Sequence, residues 1–230
     1  LSSLSTMPSR TKTQKLILLA NFTSLLFWIF LLSRLCILYP LTGARFLPGG
    51  IADFYINLLL FSTIYDLSSF YIVIRHIYGT SFISSIITSF AKLILLLILH
   101  RYPKIARSQL FPLLLLLQSL REIIYRYYNT QKVRTFNHPG ANIYKLKNLV
   151  FITIQPIESI VSTILIFQSL TELPALDSIW PSIDEITESY VKLFIRVVLV
   201  IGPVSLYFVY RRTVSKFTRS WSLLGHSKEE

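Results

Sequence analysis

The chain is short of cysteine, of acid and of charge altogether, and each shortage narrows what it can be. One cysteine, Cys36, excludes an internal disulfide and a zinc site built on thiolates. It sits inside an apolar run, where the expectation is a small buried hydrophobe. Only 15% of residues are charged, against about 25% in a soluble domain. Asp and Glu together number 11 against 23 Lys and Arg, giving a formal net charge of +12. In a soluble protein that excess would suggest nucleic acid. No aromatic-plus-basic surface motif is present, however, so no nucleic-acid partner is expected. HExxH, GxSxG and P-loop patterns are also missing. The four histidines, His76, His100, His138 and His226, fall in connections or the tail without ligand spacing, so no metal and no cofactor is expected.

What the chain has in abundance is apolar sequence. Hydrophobic residues make up 53%, and they come in blocks rather than spread at a 3.6-residue period. A spanning helix needs about 20 mostly apolar residues. Six stretches qualify: 16–39, 52–74, 82–99, 110–127, 149–170 and 190–210. Breakers lie between them: Pro40 with Pro48, Gly49 and Gly50; Gly79; Pro103; Pro139 with Gly140; and Pro174 with Pro181. The expected fold is therefore all-α, a polytopic bundle of six transmembrane helices over residues 16–212. A basic segment (1–15) precedes it and a basic, polar tail (213–230) follows.

Basic residues flank the blocks, where they meet anionic headgroups and set orientation. Arg10, Lys12, Lys15, Arg75, Arg126, Lys132, Arg134, Lys145, Lys147, Arg211, Arg212, Lys216 and Arg219 fall on one side. Arg45 and the acidic fifth connection, with Glu172, Asp177, Asp184, Glu185 and Glu188, fall on the other. Both termini are then expected on the cytoplasmic or matrix side. His100, Arg101, Lys104 and Arg107 of the third connection vote against this and are outnumbered. The first 15 residues, basic and free of acid, read either as the flank of a mitochondrial presequence or as a truncated start with Met7 as initiator.

Ionisable groups within the blocks are costly in hydrocarbon, so each requires a reason. Arg34 and Arg196 lie near block ends and can snorkel. Asp66, Lys92, Glu122 and Glu158 lie deeper. Asp66 and Lys92, on successive helices, are expected to form an ion pair that fixes helix register. The alternative is that they wall a polar pocket.

Several features in order resemble the 3-hydroxyacyl-CoA dehydratase family, also called protein-tyrosine-phosphatase-like membrane proteins. The first block carries Asn21, Trp28 and a terminal Tyr39-Pro40. The second carries Asp66 and leaves through Val73-Ile74-Arg75, and the third has Ser89 and Lys92. The fourth reads Glu122-Ile123-Ile124-Tyr125-Arg126-Tyr127, with Gln118 where the family has Trp. The resemblance covers roughly residues 16 to 215 and implies the same six-helix count.

In that family the fifth helix carries Tyr-Pro-x-Gly-x-x-x-Glu, whose Tyr and Glu remove water from a 3-hydroxyacyl-CoA. Here the sequence is Gln155-Pro156-Ile157-Glu158-Ser159-Ile160-Val161-Ser162. Gln155 replaces the Tyr and Ser162 replaces the Glu. Dehydration needs a base for the α proton and an acid for the departing hydroxyl. Each is worth roughly 10²–10⁴-fold. Gln155 exchanges no proton near neutral pH, and Ser162 has no adjacent base. Glu158 is the substitute candidate, but it lies about 6 Å along the axis from Ser162. The resemblance therefore implies a degenerate, non-catalytic member. The expected role is an accessory subunit of a larger membrane complex, with lipid between its helices. The acid-free amino terminus favours the mitochondrial inner membrane, in a respiratory-chain or ATP-synthase assembly. The acidic connection 172–188 and the basic connection 129–147 would dock partner subunits. The alternative is an active endoplasmic-reticulum dehydratase that pairs Glu158 with Tyr144 or Tyr128. A transporter is disfavoured, since only Pro156 and Pro203 break the blocks near mid-membrane.

Overall fold

The computed structural model describes residues 12–43, 50–74, 82–135, 140–171 and 185–226. Among these, the regular structure is all helical. It comprises α1 (Lys12–Thr42), α2 (Ala52–Ile74), α3 (Phe82–Arg101), α4 (Leu110–Arg134), α5 (Ala141–Thr171) and α6 (Glu185–His226), with a 3₁₀ turn at Pro103–Arg107 between α3 and α4. Each expected block lies on its own helix. Residues 172–184 of the acidic fifth connection, Arg45, Arg75, His76 and His138 lie outside the described residues, whereas Glu185 and Glu188, expected in that connection, fall in the first turn of α6.

The helix ends follow from local chemistry. Gly43, just past α1, has φ +67°, the left-handed conformation that closes many helices and that a Cβ disfavours. Tyr102 precedes Pro103 and is pushed out of helical geometry, which ends α3. Thr135 closes α4, its amide and hydroxyl both donating to the Gln131 carbonyl. Hydroxyls inside the helices donate to the carbonyl one turn back, as Thr63 does to Leu59, Ser119 to Leu115 and Thr163 to Ser159. That leaves few polar groups for an apolar surrounding to desolvate.

α4 is the hub. α1 and α5 pack along it, α2 packs against α3, and α6 leans on α5 with a smaller contact to α3. The contacts also give direction. Asn21 meets Tyr65 while Trp28 meets Tyr55, so α1 and α2 are antiparallel. Tyr55 meets Gln118 and Ser62 meets Arg126, so α2 and α4 are parallel. Arg121 meets Glu158 while Tyr128 meets Tyr144, so α4 and α5 are antiparallel. An aromatic stack of Trp28, Tyr55 and Phe111, all fully buried, ties α1, α2 and α4 at one level. Its edge-to-face geometry is the favoured one for aromatic rings.

Apolar side chains also face outward in quantity. Among the described side chains of α6, Ile195 and Val209 are the buried ones, while Leu193, Phe194, Val200, Ile201, Tyr207 and Phe208 are exposed. Water does not tolerate a patch of that extent on a monomer. Among the described residues, three helices are long and apolar enough to cross a membrane: α1 over Gln14–Leu41, α5 over Ala141–Leu170 and α6 over Tyr190–Ser215. The apolar helices thus indicate membrane association. α4 differs because Arg121, Glu122 and Arg126 interrupt its apolar sequence.

Three expectations are corrected. Cys36 is exposed on α1 rather than buried, because the core-facing stripe there is Trp28, Leu31 and Leu35. The basic connection 129–147 is largely helix: α4 runs on to Arg134 and α5 begins at Ala141. Arg126 is not a flanking residue but is fully buried within α4, so it drops out of the orientation count.

Candidate functional site

One face of α4 explains the site. Phe111, Leu115, Gln118, Glu122 and Arg126 are spaced at three or four residues and all are buried. The stripe is apolar in its first two turns and polar thereafter, so helical periodicity carries an amide, a carboxylate and a guanidinium into the bundle. Arg121 sits at the edge of that stripe and turns toward α5.

The neighbouring helices answer with complementary charge. Lys92 Nζ of α3 lies 2.7 Å from Glu122 Oε1 and 3.3 Å from Asp66 Oδ2. Arg126 Nη1 lies 2.7 Å from Asp66 Oδ1, and Nη2 lies 3.5 Å from Glu122 Oε2. Nη2 also donates to Ser62 Oγ at 2.6 Å. Arg121 completes the chain: Nη2 lies 3.2 Å from Glu122 Oε1, and Nη1 lies 2.8 Å from Glu158 Oε2. Nη1 donates its aligned hydrogen bond to Gln155 Oε1 at 3.0 Å. Its contact with Glu158 is therefore ionic and off the N–H axis, which leaves Glu158 Oε2 without an aligned hydrogen bond. Three cations and three carboxylates thus form one continuous network over α2, α3, α4 and α5, with no net charge.

All the deep charges singled out from sequence come together here. The expected pair of Asp66 with Lys92 is present, although each makes a shorter contact elsewhere, Asp66 with Arg126 and Lys92 with Glu122. Sequence reasoning missed Arg121, Arg126, Ser62 and Tyr55. The signal for Arg126 was its four-residue spacing from Glu122. Tyr55 donates its hydroxyl to Gln118 Oε1 from the aromatic stack below the network.

A cavity of about 400 Å³ adjoins the network between α3, α5 and α6. Its surface is mostly apolar, with Ile, Leu, Val and Phe prominent in its walls. One corner is polar, formed by Lys92, Gln118, Arg121, Gln155 and Glu158, with Ser162 one turn further along α5. Gly202 and Pro203 of α6 also line the cavity. Phe90, Phe194 and Ile201 line the cavity and are also exposed, so it opens on the outside of the bundle.

The tyrosines proposed to work with Glu158 do not reach it. Tyr128 and Tyr144 pack on each other at 6.3 Å between centroids, with Lys147 Nζ 4.3 Å from the Tyr128 centroid. Tyr144 is 14 residues before Glu158 on the same helix, which puts it about 21 Å away along the axis. Arg196 is exposed on α6, and Arg34 Nη2 lies near Gly50 at the far end of α1. Neither joins the network. Among the described residues, no three His, Cys, Asp or Glu side chains converge as metal ligands. Comparison of the chain with family models, with curated proteins and with solved structures finds no match.

Proposed function

We propose that this chain is a non-catalytic, dehydratase-like membrane protein. It spans the bilayer six times and serves as an accessory subunit of a larger membrane complex, with lipid held between its helices. One observation carries the reading: all three deep carboxylates, Asp66, Glu122 and Glu158, are ion-paired within a neutral network. A general base must be free to take a proton within hydrogen-bond reach of substrate. Here the carboxylates instead hold four helices in register.

The location of the network supports six spans. The interrupting charges of α2, α3 and α4 meet one another inside the bundle, so those helices need not present them to lipid. The outward apolar faces of α1 and α6 suit lipid or apolar partner helices, and obligate interfaces of that kind are large and hydrophobic. The proposed location is the mitochondrial inner membrane, with a respiratory-chain or ATP-synthase assembly as host.

The second reading, an active dehydratase, has one observation in its favour: Glu158 lines the cavity. Against it stand Arg121 at 2.8 Å and the distance of Tyr144.

The test is gentle extraction of native membranes, a native gel, and mass spectrometry of the band. Stoichiometric co-migration with a large respiratory or ATP-synthase assembly is the expected result. Migration alone, or with fatty-acid elongation enzymes, would overturn the accessory reading.

A further inference from the structure

The cavity between α3, α5 and α6 has a polar corner in an unusual place. Lys92, Arg121 and Glu158 each lie near the middle of their helices (Phe82–Arg101, Leu110–Arg134 and Ala141–Thr171). In a bundle that spans the bilayer, this corner sits at mid-depth. A phospholipid cannot use it, because its headgroup stays at the membrane surface while only its tails reach this level.

Charge restricts the occupant further. Three cations and three carboxylates already neutralise one another. An added anion or cation at mid-membrane would have no counter-charge, and an unpaired charge there costs several kcal/mol. An uncharged hydroxyl or carbonyl meets no such penalty. It finds polar partners in Gln155, Glu158 and Ser162 along one face of α5. Glu158 lines the cavity and keeps part of its side chain accessible, so its carboxylate is an acceptor for a hydroxyl.

Size points the same way. A cavity of about 400 Å³ falls at the low end of ligand pockets, about 300–1,000 Å³, which suits the head and adjoining part of one slender chain. The opening between α3 and α6 lets the rest of such a chain continue into the bilayer.

We infer that the α3–α5–α6 cavity binds a single-chain, uncharged lipid whose hydroxyl or carbonyl head is buried at mid-membrane against Glu158 and Ser162. This goes beyond lipid filling between helices, because it names the class of lipid, and it rests on the reading of the chain as a spanning bundle.

The probe is a photoactivatable hexadecanol, compared with a photoactivatable hexadecyl sulfonate of equal chain length, on the full chain in membranes. Peptides from α5 and α6 that line the cavity are expected to be labelled by the alcohol about a hundredfold more efficiently than by the sulfonate, the discrimination expected for an unpaired charge at mid-bilayer. Ser162→Phe should reduce this labelling to the level of the outer faces of α1. Gly202→Phe should do the same from α6, where a Cβ at Gly202 meets nothing within 4 Å. Equal labelling by both probes, or labelling unaffected by both substitutions in monodisperse protein, would overturn the inference. Alkaline carbonate extraction of the same membranes separates the two readings. Release of the chain would overturn the spanning bundle as well, whereas retention without alcohol preference overturns the lipid site alone.

Discussion

Replacing Arg126 with Met tests whether the ion network holds the bundle together. The guanidinium is fully buried. It contacts Asp66 Oδ1 at 2.7 Å, Ser62 Oγ at 2.6 Å and Glu122 Oε2 at 3.5 Å. Met keeps much of the volume and removes the charge. Asp66 then loses its shorter ion pair and keeps Lys92 at 3.3 Å, and the network carries one uncompensated negative charge. Removing one partner of a buried ion pair costs about 3–5 kcal/mol. For a domain of 150–250 residues, each kcal/mol corresponds to about 2–4 °C in Tm, so the expected drop is on the order of 10 °C in detergent. Charge balance gives the sharper test. Arg126→Met combined with Asp66→Leu restores neutrality, with Lys92 and Arg121 facing Glu122 and Glu158. The double variant should regain most of the loss, with a coupling of at least about 2 kcal/mol, within the 0.5–3 kcal/mol range for residues in contact. Thermal unfolding followed by circular dichroism, or pulse proteolysis, reads both values. A single variant within about 0.5 kcal/mol of the parent, as for an ordinary surface change, would refute the reasoning. So would a double variant no better than the sum of the singles.

Trp28→Ala should be the most damaging truncation of the aromatic stack, since Trp28 is fully buried against Tyr55; a loss of about 3–5 kcal/mol is expected, read by the same unfolding assay. Tyr55→Phe keeps the ring contacts with Trp28 and Phe111 and removes only the bond to Gln118. Its cost should be about 1 kcal/mol, and a cost as large as that of Trp28→Ala would mean that the hydroxyl has a role beyond packing. Glu158→Gln should leave the turnover of 3-hydroxyacyl-CoA in purified protein unchanged at background. A clear rate in the parent, lost in this variant, would restore the enzyme reading.

Some of this molecule follows from its linear sequence. Apolar runs of about 20 residues separated by proline and glycine become helices under any arrangement, because the backbone of such a run is best satisfied by its own carbonyls. The six blocks therefore map onto α1 to α6 within a few residues, apart from extensions at helix ends. Those extensions arise where basic and polar residues such as Lys132 and Arg134 are good helix formers that hydropathy alone does not count. The deep charges were legible too, as residues that hydrocarbon would not accept without partners.

Which partners they take was decided by tertiary structure. Lys92 is nearer Glu122 than Asp66 because α4, not α2, lies at the centre of the bundle. Arg126 looked like the edge of a loop because it follows an apolar run, yet its position four residues after Glu122 puts it on the inward face of a helix that continues for two more turns. Cys36 shows the converse: an apolar neighbourhood in sequence does not say which side of a helix faces the core. The cavity was invisible for the same reason. Its walls come from α3, α5 and α6, and its polar corner exists because Gln155, Glu158 and Ser162 repeat along one face of α5. Sequence reports composition and period, whereas the pairing of charges and the space left between helices depend on how those helices are set against each other.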